Sequence, residues 1–314
     1  MYQEITTACI FPGQGAQYTG MGRDIYEQYP EAREVFDKAD EILGFSISSL
    51  CFEGPEKALK LTENTQPAVL TTSIAMLRVL EARTDLRPDY LAGHSLGEYS
   101  ALVCAGALSF EDAVLAVHMR GKFMQEAVPV GTGTMTAVMK IKEARLRELC
   151  GEVSREGHIV VCANINCPGQ YVLSGHTAAV REVADLAKGE GAMVIPLAVS
   201  APFHSPLMKK AADALADWLD RITFSDLEIP LINNADAKFI HTGADAKDSL
   251  IRQMQAPVRW EESVRKLIGK GTGRFVEIGP GKVLSGLMKR IDRSVKTVNV
   301  SDPASIEKFM ESAE

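Results

Sequence analysis

The chain has few of the features that mark membrane, secreted or nucleic-acid-binding proteins. No uninterrupted apolar run approaches the roughly 20 residues that a membrane-spanning helix needs. Residues 1–11 carry neither the basic segment nor the long apolar segment of a secretory leader. Six cysteines, at positions 9, 51, 104, 150, 162 and 167, include no C-x-x-C pair. Neither a disulfide framework nor a zinc site is indicated, and a reducing cytoplasm is the expected location. With 34 Lys and Arg against 41 Asp and Glu, the net charge is -7. No basic block stands ready to neutralise phosphates, which argues against a nucleic-acid partner. There is no internal repeat and no low-complexity tract.

What is present is an ordinary globular composition, 46% hydrophobic and 24% charged over 314 residues. That is enough chain for a large core with a smaller unit inserted in it. Residues 7–11 read as a buried strand stopped by Pro12-Gly13, and helix-period segments follow over 31–43 and 65–82. A second strand at 90–93 precedes a helix from Ser109, its N-cap, to about Glu126. This alternation predicts a parallel sheet with ligands at the carboxyl ends of its strands. After a break at 129–133 the rhythm changes to strand 134–139, helix 142–155, strands 159–164 and 170–175, helix 177–189 and strand 192–197. That β-α-β-β-α-β order is the ferredoxin-like signature. The first rhythm then resumes, with a helix after Pro206, a strand near 230–233 and helices around Ser249 and Glu262. Strand 274–278, helix 282–291 and strand 296–300 complete it. The expected fold class is therefore α/β. An α/β-hydrolase-like core with a mostly parallel sheet, over residues 1–128 and 199–314, carries an inserted ferredoxin-like subdomain over 129–198.

Gly93-His94-Ser95-Leu96-Gly97 lies between the second strand and the helix-forming run from Glu98 to Cys104. A serine flanked by glycines at a strand-to-helix turn fits a nucleophile elbow, in which the turn lifts the hydroxyl off the sheet. The competing reading is a plain glycine-flanked turn. Serine chemistry needs a base. His118 falls inside a helix, His158 and His176 at edges of the inserted unit, and His241 in a polar loop; structural or solvated roles suit all four. His204 sits in the proline-bracketed loop Ser200-Ala201-Pro202-Phe203-His204-Ser205-Pro206, where the chain returns to the main sheet, a place that favours function. About a hundred residues with several sheet elements follow it. In a standard α/β-hydrolase the histidine comes late, so a plain esterase is the weaker reading.

Beyond these residues, a motif series runs through almost the whole chain. It comprises Phe11-Pro12-Gly13-Gln14-Gly15-Ala16-Gln17, Thr65-Gln66-Pro67-Ala68, Gly93-His94-Ser95-Leu96-Gly97-Glu98-Tyr99 and Arg120-Gly121-Lys122-Phe123-Met124. Asn164-Ile165-Asn166-Cys167-Pro168-Gly169-Gln170, Ala201-Pro202-Phe203-His204 and Glu277-Ile278-Gly279-Pro280-Gly281 continue it. In this order the series resembles that of the malonyl-CoA:acyl carrier protein transacylases, and equally the discrete acyltransferases that serve polyketide synthases. The resemblance implies Ser95 as nucleophile, His204 as general base, and the Gln14 and Leu96 N–H groups as oxyanion hole. It places a backbone carbonyl at Gln253 where a triad would have its acid, so no aspartate is nominated. Without that likeness, Pro12-Gly13-Gln14-Gly15 is a glycine-rich turn lacking the lysine and spacing of a P-loop.

The same likeness makes Arg120 the discriminator of a dicarboxylic acyl donor, because a guanidinium can grip a carboxylate through two parallel hydrogen bonds. An arbitrary helical arginine would otherwise be solvated. Phe203 implies malonyl over methylmalonyl, although the His-Ala that usually precedes Phe-His is Ala201-Pro202 here. Met124, Asn166 and Gln66 are expected to line the site. Gly279-Pro280-Gly281 reads as a helix start, not a phosphate site.

The implied substrates are malonyl-CoA and acyl carrier protein, with no metal or redox cofactor, for a monomer without membrane or nucleic-acid partners. Carrier proteins are acidic like this chain, so a local basic patch must steer them; Lys209-Lys210 and Lys289-Arg290 are the candidates. A thioester hydrolase and a noncatalytic carrier-binding module are the alternatives.

Overall fold

Thr7–Phe11 forms strand β1, buried along its whole length, as a central strand covered by helices on both faces must be. The computed structural model describes residues 5–199 and 201–311, leaving 1–4, Ser200 and 312–314 outside the described residues. Short helices α1 (Arg23–Gln28), α2 (Pro30–Leu43), α3 (Ile47–Glu53) and α4 (Glu56–Leu59) lead to α5 (Thr62–Arg83). Strand β2 (Tyr90–Gly93) then turns into α6 (Gly97–Cys104), followed by α7 (Phe110–Glu126). The next stretch holds β3 (Gly133–Met139), α8 (Glu143–Val153), β4 (Val160–Cys167), β5 (Gln170–His176), α9 (Thr177–Gly189) and β6 (Met193–Pro196).

From there a 3-10 turn at Pro206–Met208 enters α10 (Lys209–Leu219), and β7 (Leu231–Ile232) pairs with β8 (Phe239–Ile240) as a small hairpin. The chain finishes with α11 (Gly243–Gln253), α12 (Trp260–Gly269), β9 (Arg274–Ile278), α13 (Val283–Ile291), β10 (Lys296–Val300) and α14 (Pro303–Glu311).

Two sheets result. The six-stranded one has the order β10-β9-β1-β2-β7-β8 and is parallel except for β8. The four-stranded one, β4-β5-β3-β6, is antiparallel throughout. Helices α8 and α9 cover one of its faces through Leu146, Leu149, Val180 and Val183, which share a separate apolar cluster with Val138 and Leu173. The mostly parallel sheet and the small antiparallel one are those expected for the fold class. Strand β4 also joins the larger body, since Ile165 N–H donates to Val258 O at 2.9 Å and Val258 N–H to Ala163 O at 2.8 Å.

Helix α5 departs from its expected start. It begins at Thr62, so Pro67 lies inside it. Proline has no N–H to give the carbonyl four residues back, which is Glu63 O. That carbonyl is instead met by the His118 ring Nδ1 at 2.9 Å from α7. Gly121 makes the approach possible, because a Cβ there would run into Glu63 Cα and Thr62 O. The elements not foreseen are α1, α3, α4, β8 and α14; α4 has four residues and β8 two, too few to display a period.

The turn after β2 is crowded. A Cβ on Gly93 would overlap the Gly97 backbone, and one on Gly97 would overlap Phe11 O. Gly93→Ala should therefore destabilise the protein by at least about 3 kcal/mol in denaturant unfolding. Gly286→Ala, in α13 with nothing within 4 Å of its added methyl, should be neutral or stabilise by up to about 1 kcal/mol.

Candidate active site

Strands β1, β2 and β9 are neighbours in the large sheet, and the turns at their carboxyl ends carry Gln14, Ser95 and Gly279 respectively. Ser95 has φ +52°, a left-handed conformation that costs a non-glycine residue about 1–3 kcal/mol. Tertiary hydrogen bonds hold it there. Ser95 N–H donates to Asn234 Oδ1 at 2.7 Å, Asn234 Nδ2 to Gly93 O at 2.6 Å, and Gln253 Nε2 to Ser95 O at 3.1 Å.

The loop between β6 and α10 brings in His204, also left-handed at φ +56° and only 4% exposed. Its Nδ1 lies 2.8 Å from the backbone carbonyl of Gln253 and its Nε2 2.8 Å from Ser95 Oγ. A carbonyl only accepts, so Nδ1 carries the proton and Nε2 is left bare to accept from the serine. The imidazole is buried and faces Arg120, and both effects disfavour a second positive charge. Its pKa is pushed down to about 3, burial being the larger cause.

Arg120 reaches the same point from α7 with 1% of its surface exposed. Its Nη1 donates to Gln66 Oε1 at 2.8 Å; its Nη2 donates to Gln253 Oε1 at 2.9 Å and to Ser95 Oγ at 3.1 Å. The Tyr99 ring centre is 5.6 Å from the guanidinium carbon. Among the described residues no carboxylate is in ion-pair contact with it, Glu98 acting on it only from a distance, and Nε has no hydrogen-bond partner. A buried charge with no counter-ion in contact is costly, so this guanidinium can take an anionic ligand.

Gln14, Gln66, Leu96, Met124, Asn166 and Phe203 line one cavity with Ser95, Arg120 and His204, of about 240 Å³. That volume suits a short acyl group and is below the range of drug-sized sites. Neither the Gln14 nor the Leu96 backbone N–H is taken by an acceptor among the described residues. Asn166 Oδ1 meets His94 Nε2 at 2.9 Å, and Gln66 Nε2 lies 3.4 Å from the Met124 sulfur. Gln253 stands behind the cavity. Lys209 and Lys210 lie outside it, and Lys209 is paired with Asp213 at 2.9 Å. Arg290 donates to Gln170 Oε1 at 2.5 Å and Pro168 O at 3.2 Å, tying α13 to the β4–β5 turn. Among the described residues no group of His, Cys, Asp and Glu could hold a metal, and no helix is long and apolar enough to cross a membrane.

Three participants escaped the sequence reading. Asn234 has no motif to mark it. Glu98 follows the elbow directly, so the motif contained it without revealing a use. For Gln253 the motif likeness points to the backbone carbonyl alone and carries no signal for the side chain.

The acyl transferase domain family model matches residues 8–307. The malonyl CoA-acyl carrier protein transacylase of Bacillus subtilis (strain 168) is 52% identical over 301 residues, covering 96% of this chain and 95% of that protein. The chain belongs to the malonyl-CoA:acyl carrier protein transacylase family. The Escherichia coli (strain K12) transacylase is 45% identical, with 97% and 98% of the two chains covered. Among solved structures, the acyl carrier protein S-malonyltransferase of Vibrio cholerae superposes with a TM-score of 0.94 at 43% identity, covering 97% of this chain and 99% of the other. Another family structure, a malonyl-transacylase in complex with its type II PKS acyl-carrier protein, gives 0.95 at 43%, with 98% and 99% covered.

The depressed His204 pKa has a directional consequence. An unfolded histidine takes up a proton near pH 6.5, whereas the native one refuses it until about pH 3. Above pH 6.5 the two states bind equally; as pH falls from there toward 3, this residue progressively destabilises the fold. The rate of Ser95 modification by a fluorophosphonate should accordingly stay level from pH 8 to about pH 5. A decline centred near pH 6.5 would show that the imidazole titrates as if exposed.

Proposed function

We propose that this protein transfers a malonyl group from malonyl-CoA to the phosphopantetheine thiol of acyl carrier protein, in fatty-acid synthesis, with Ser95 carrying the group between them. The observation that carries the reading is the buried, carboxylate-free Arg120 whose Nη2 lies 3.1 Å from Ser95 Oγ. An acyl group on that oxygen that bears a terminal carboxylate one methylene away would end at the guanidinium fork, where two parallel charge-assisted hydrogen bonds await it. Acetyl has nothing to place there.

In the proposed reaction Ser95 Oγ attacks the thioester carbonyl while His204 Nε2 takes its proton. The Gln14 and Leu96 N–H groups hold the tetrahedral oxyanion, a contribution of about 3 kcal/mol per donor in comparable sites. Collapse breaks the carbon–sulfur bond, and His204 gives its proton to the departing sulfur, so CoA leaves as the thiol and the imidazole is neutral again. The carrier thiol then attacks the malonyl-serine ester, giving its proton to the imidazole, which returns it to Ser95 Oγ. Gln253 O keeps the ring in the tautomer that this cycle needs. Phe203 and Met124, packed about the cavity, bound the acyl group.

All these groups come from one chain, which supports a monomer. Residues 129–198 act as a discrete unit, and 1–128 with 199–314 as the core, so that the acyl site lies between them. For the carrier we favour Lys289 and Arg290 over Lys209 and Lys210, since α13 lines the cavity through Leu284 and Leu287 and Lys209 is already paired. A cytoplasmic location accords with six free cysteines.

Brief incubation with malonyl-CoA should add one malonyl mass at Ser95, discharged by holo carrier protein as malonyl-carrier; discharge as free malonate would make the protein a hydrolase. Arg120→Ala should lower kcat/KM for malonyl-CoA about 100-fold, the equivalent of about 3 kcal/mol for a truncated buried charge pair, and narrow the preference over acetyl-CoA.

A further inference from the structure

Glu98 is a fully buried carboxylate in the first turn of α6 with no cation in hydrogen-bond contact. Three donors converge on it from elsewhere in the chain. Asn234 N–H lies at 2.9 Å from Oε2, Gln253 Nε2 at 2.8 Å from the same oxygen, and Ser249 Oγ at 3.0 Å from Oε1. Each of the first two also holds part of the site. Asn234 binds the Ser95 N–H and the Gly93 carbonyl. Gln253 binds Arg120 and the Ser95 carbonyl through its side chain and His204 through its backbone.

We propose that Glu98 is the positioning residue of this site, fixing through Gln253 and Asn234 the nucleophile's turn, the base's orienting carbonyl and the guanidinium of Arg120 in one frame. The inference rests on the reading that Ser95, His204 and Arg120 form the acyl-transfer site. Donor and acceptor roles show why a carboxylate is required. Gln253 presents Oε1 to Arg120 only because its Nε2 has acceptors behind it, Glu98 and Ser95 O. Turn the amide over, and an NH2 group faces the guanidinium. A carboxylate accepts at both oxygens and so enforces the orientation; an amide at position 98 would oppose one of the three donors with an NH2 of its own. The negative charge also acts across the site on Arg120, attracting it. A triad would place an acid directly on the histidine. Here a backbone carbonyl stands in that place, and the acid lies one residue further back.

Two readouts test this, with Tm recorded alongside. The first is the ratio of kcat/KM for malonyl-CoA to that for acetyl-CoA. Glu98→Gln is expected to lower the malonyl value about 100-fold and the ratio about 10-fold, because Arg120 loses its fixed partner; a merely weakened fold would lower both substrates in parallel. The second, independent of malonyl transfer, is the rate of Ser95 modification by a fluorophosphonate, expected to fall about 10-fold. Should Glu98→Gln fail to fold, Ser249→Ala removes one of the three donors from outside the cavity and should move both numbers in the same direction by about 3-fold. An unchanged ratio together with an unchanged modification rate in a folded variant overturns the proposal. If the wild-type protein transfers no malonyl yet Ser95 is still modified, the functional reading fails and the second readout alone decides the role of Glu98.

Discussion

A guanidinium held out of water without a carboxylate beside it is the constraint around which this site is arranged. Removing such a charge from water costs several kcal/mol, and neutral partners recover only part of that. Arg120 receives two amide oxygens, from Gln66 on α5 and Gln253 at the end of α11, and the face of Tyr99 on α6. Each partner sits on a different element, so the elements must pack in one arrangement for the charge to be tolerated. The close seating of α7 on the start of α5, with Gly121 against Glu63 and His118 on its carbonyl, is part of that arrangement. The same charge reaches His204 and reinforces burial in keeping the imidazole neutral.

The second constraint is backbone strain at the two residues proposed to react. Of the four described non-glycine residues with positive φ, two are Ser95 and His204. Neither conformation is favoured locally, so both must be maintained from a distance. For Ser95 the restraint comes from Asn234 and Gln253, 139 and 158 residues away. For His204 the Gln253 carbonyl is 49 residues away. Gln253 therefore binds Ser95, His204 and Arg120 together, and the buried carboxylate of Glu98 accepts from its amide Nε2. Strain that would be lost from an isolated loop persists because the surrounding structure over-determines it.

Different parts of this arrangement were legible in the sequence to different degrees. The elbow was legible because its signal is local: a strand, a glycine-flanked serine and a helix within fifteen residues. The ferredoxin-like order was legible because alternating periods survive in linear form. Arg120 was not legible from chemistry alone, since an arginine on a helix normally faces water; only the motif series singled it out. Asn234 and Glu98 stayed hidden because their function lies in which distant donor meets which acceptor. Helix α5 starts earlier than its period suggests, with Pro67 inside it, and the carbonyl that proline leaves without a donor is met by His118 from a different helix, a contact that no local pattern displays.

By itself, the sequence determined the α/β class, the alternation that builds a parallel sheet, the strand–turn–helix context of Ser95 and the family to which the chain belongs. These depend on periodicity, turn residues and motif order, all of which are properties of neighbouring positions. Tertiary structure alone decided that Arg120 is buried with no carboxylate in contact, that His204 is neutral, and that one glutamine connects the groups of the site. Those facts depend on distances between residues far apart in the chain and on exclusion of water, and neither exists until the elements have packed.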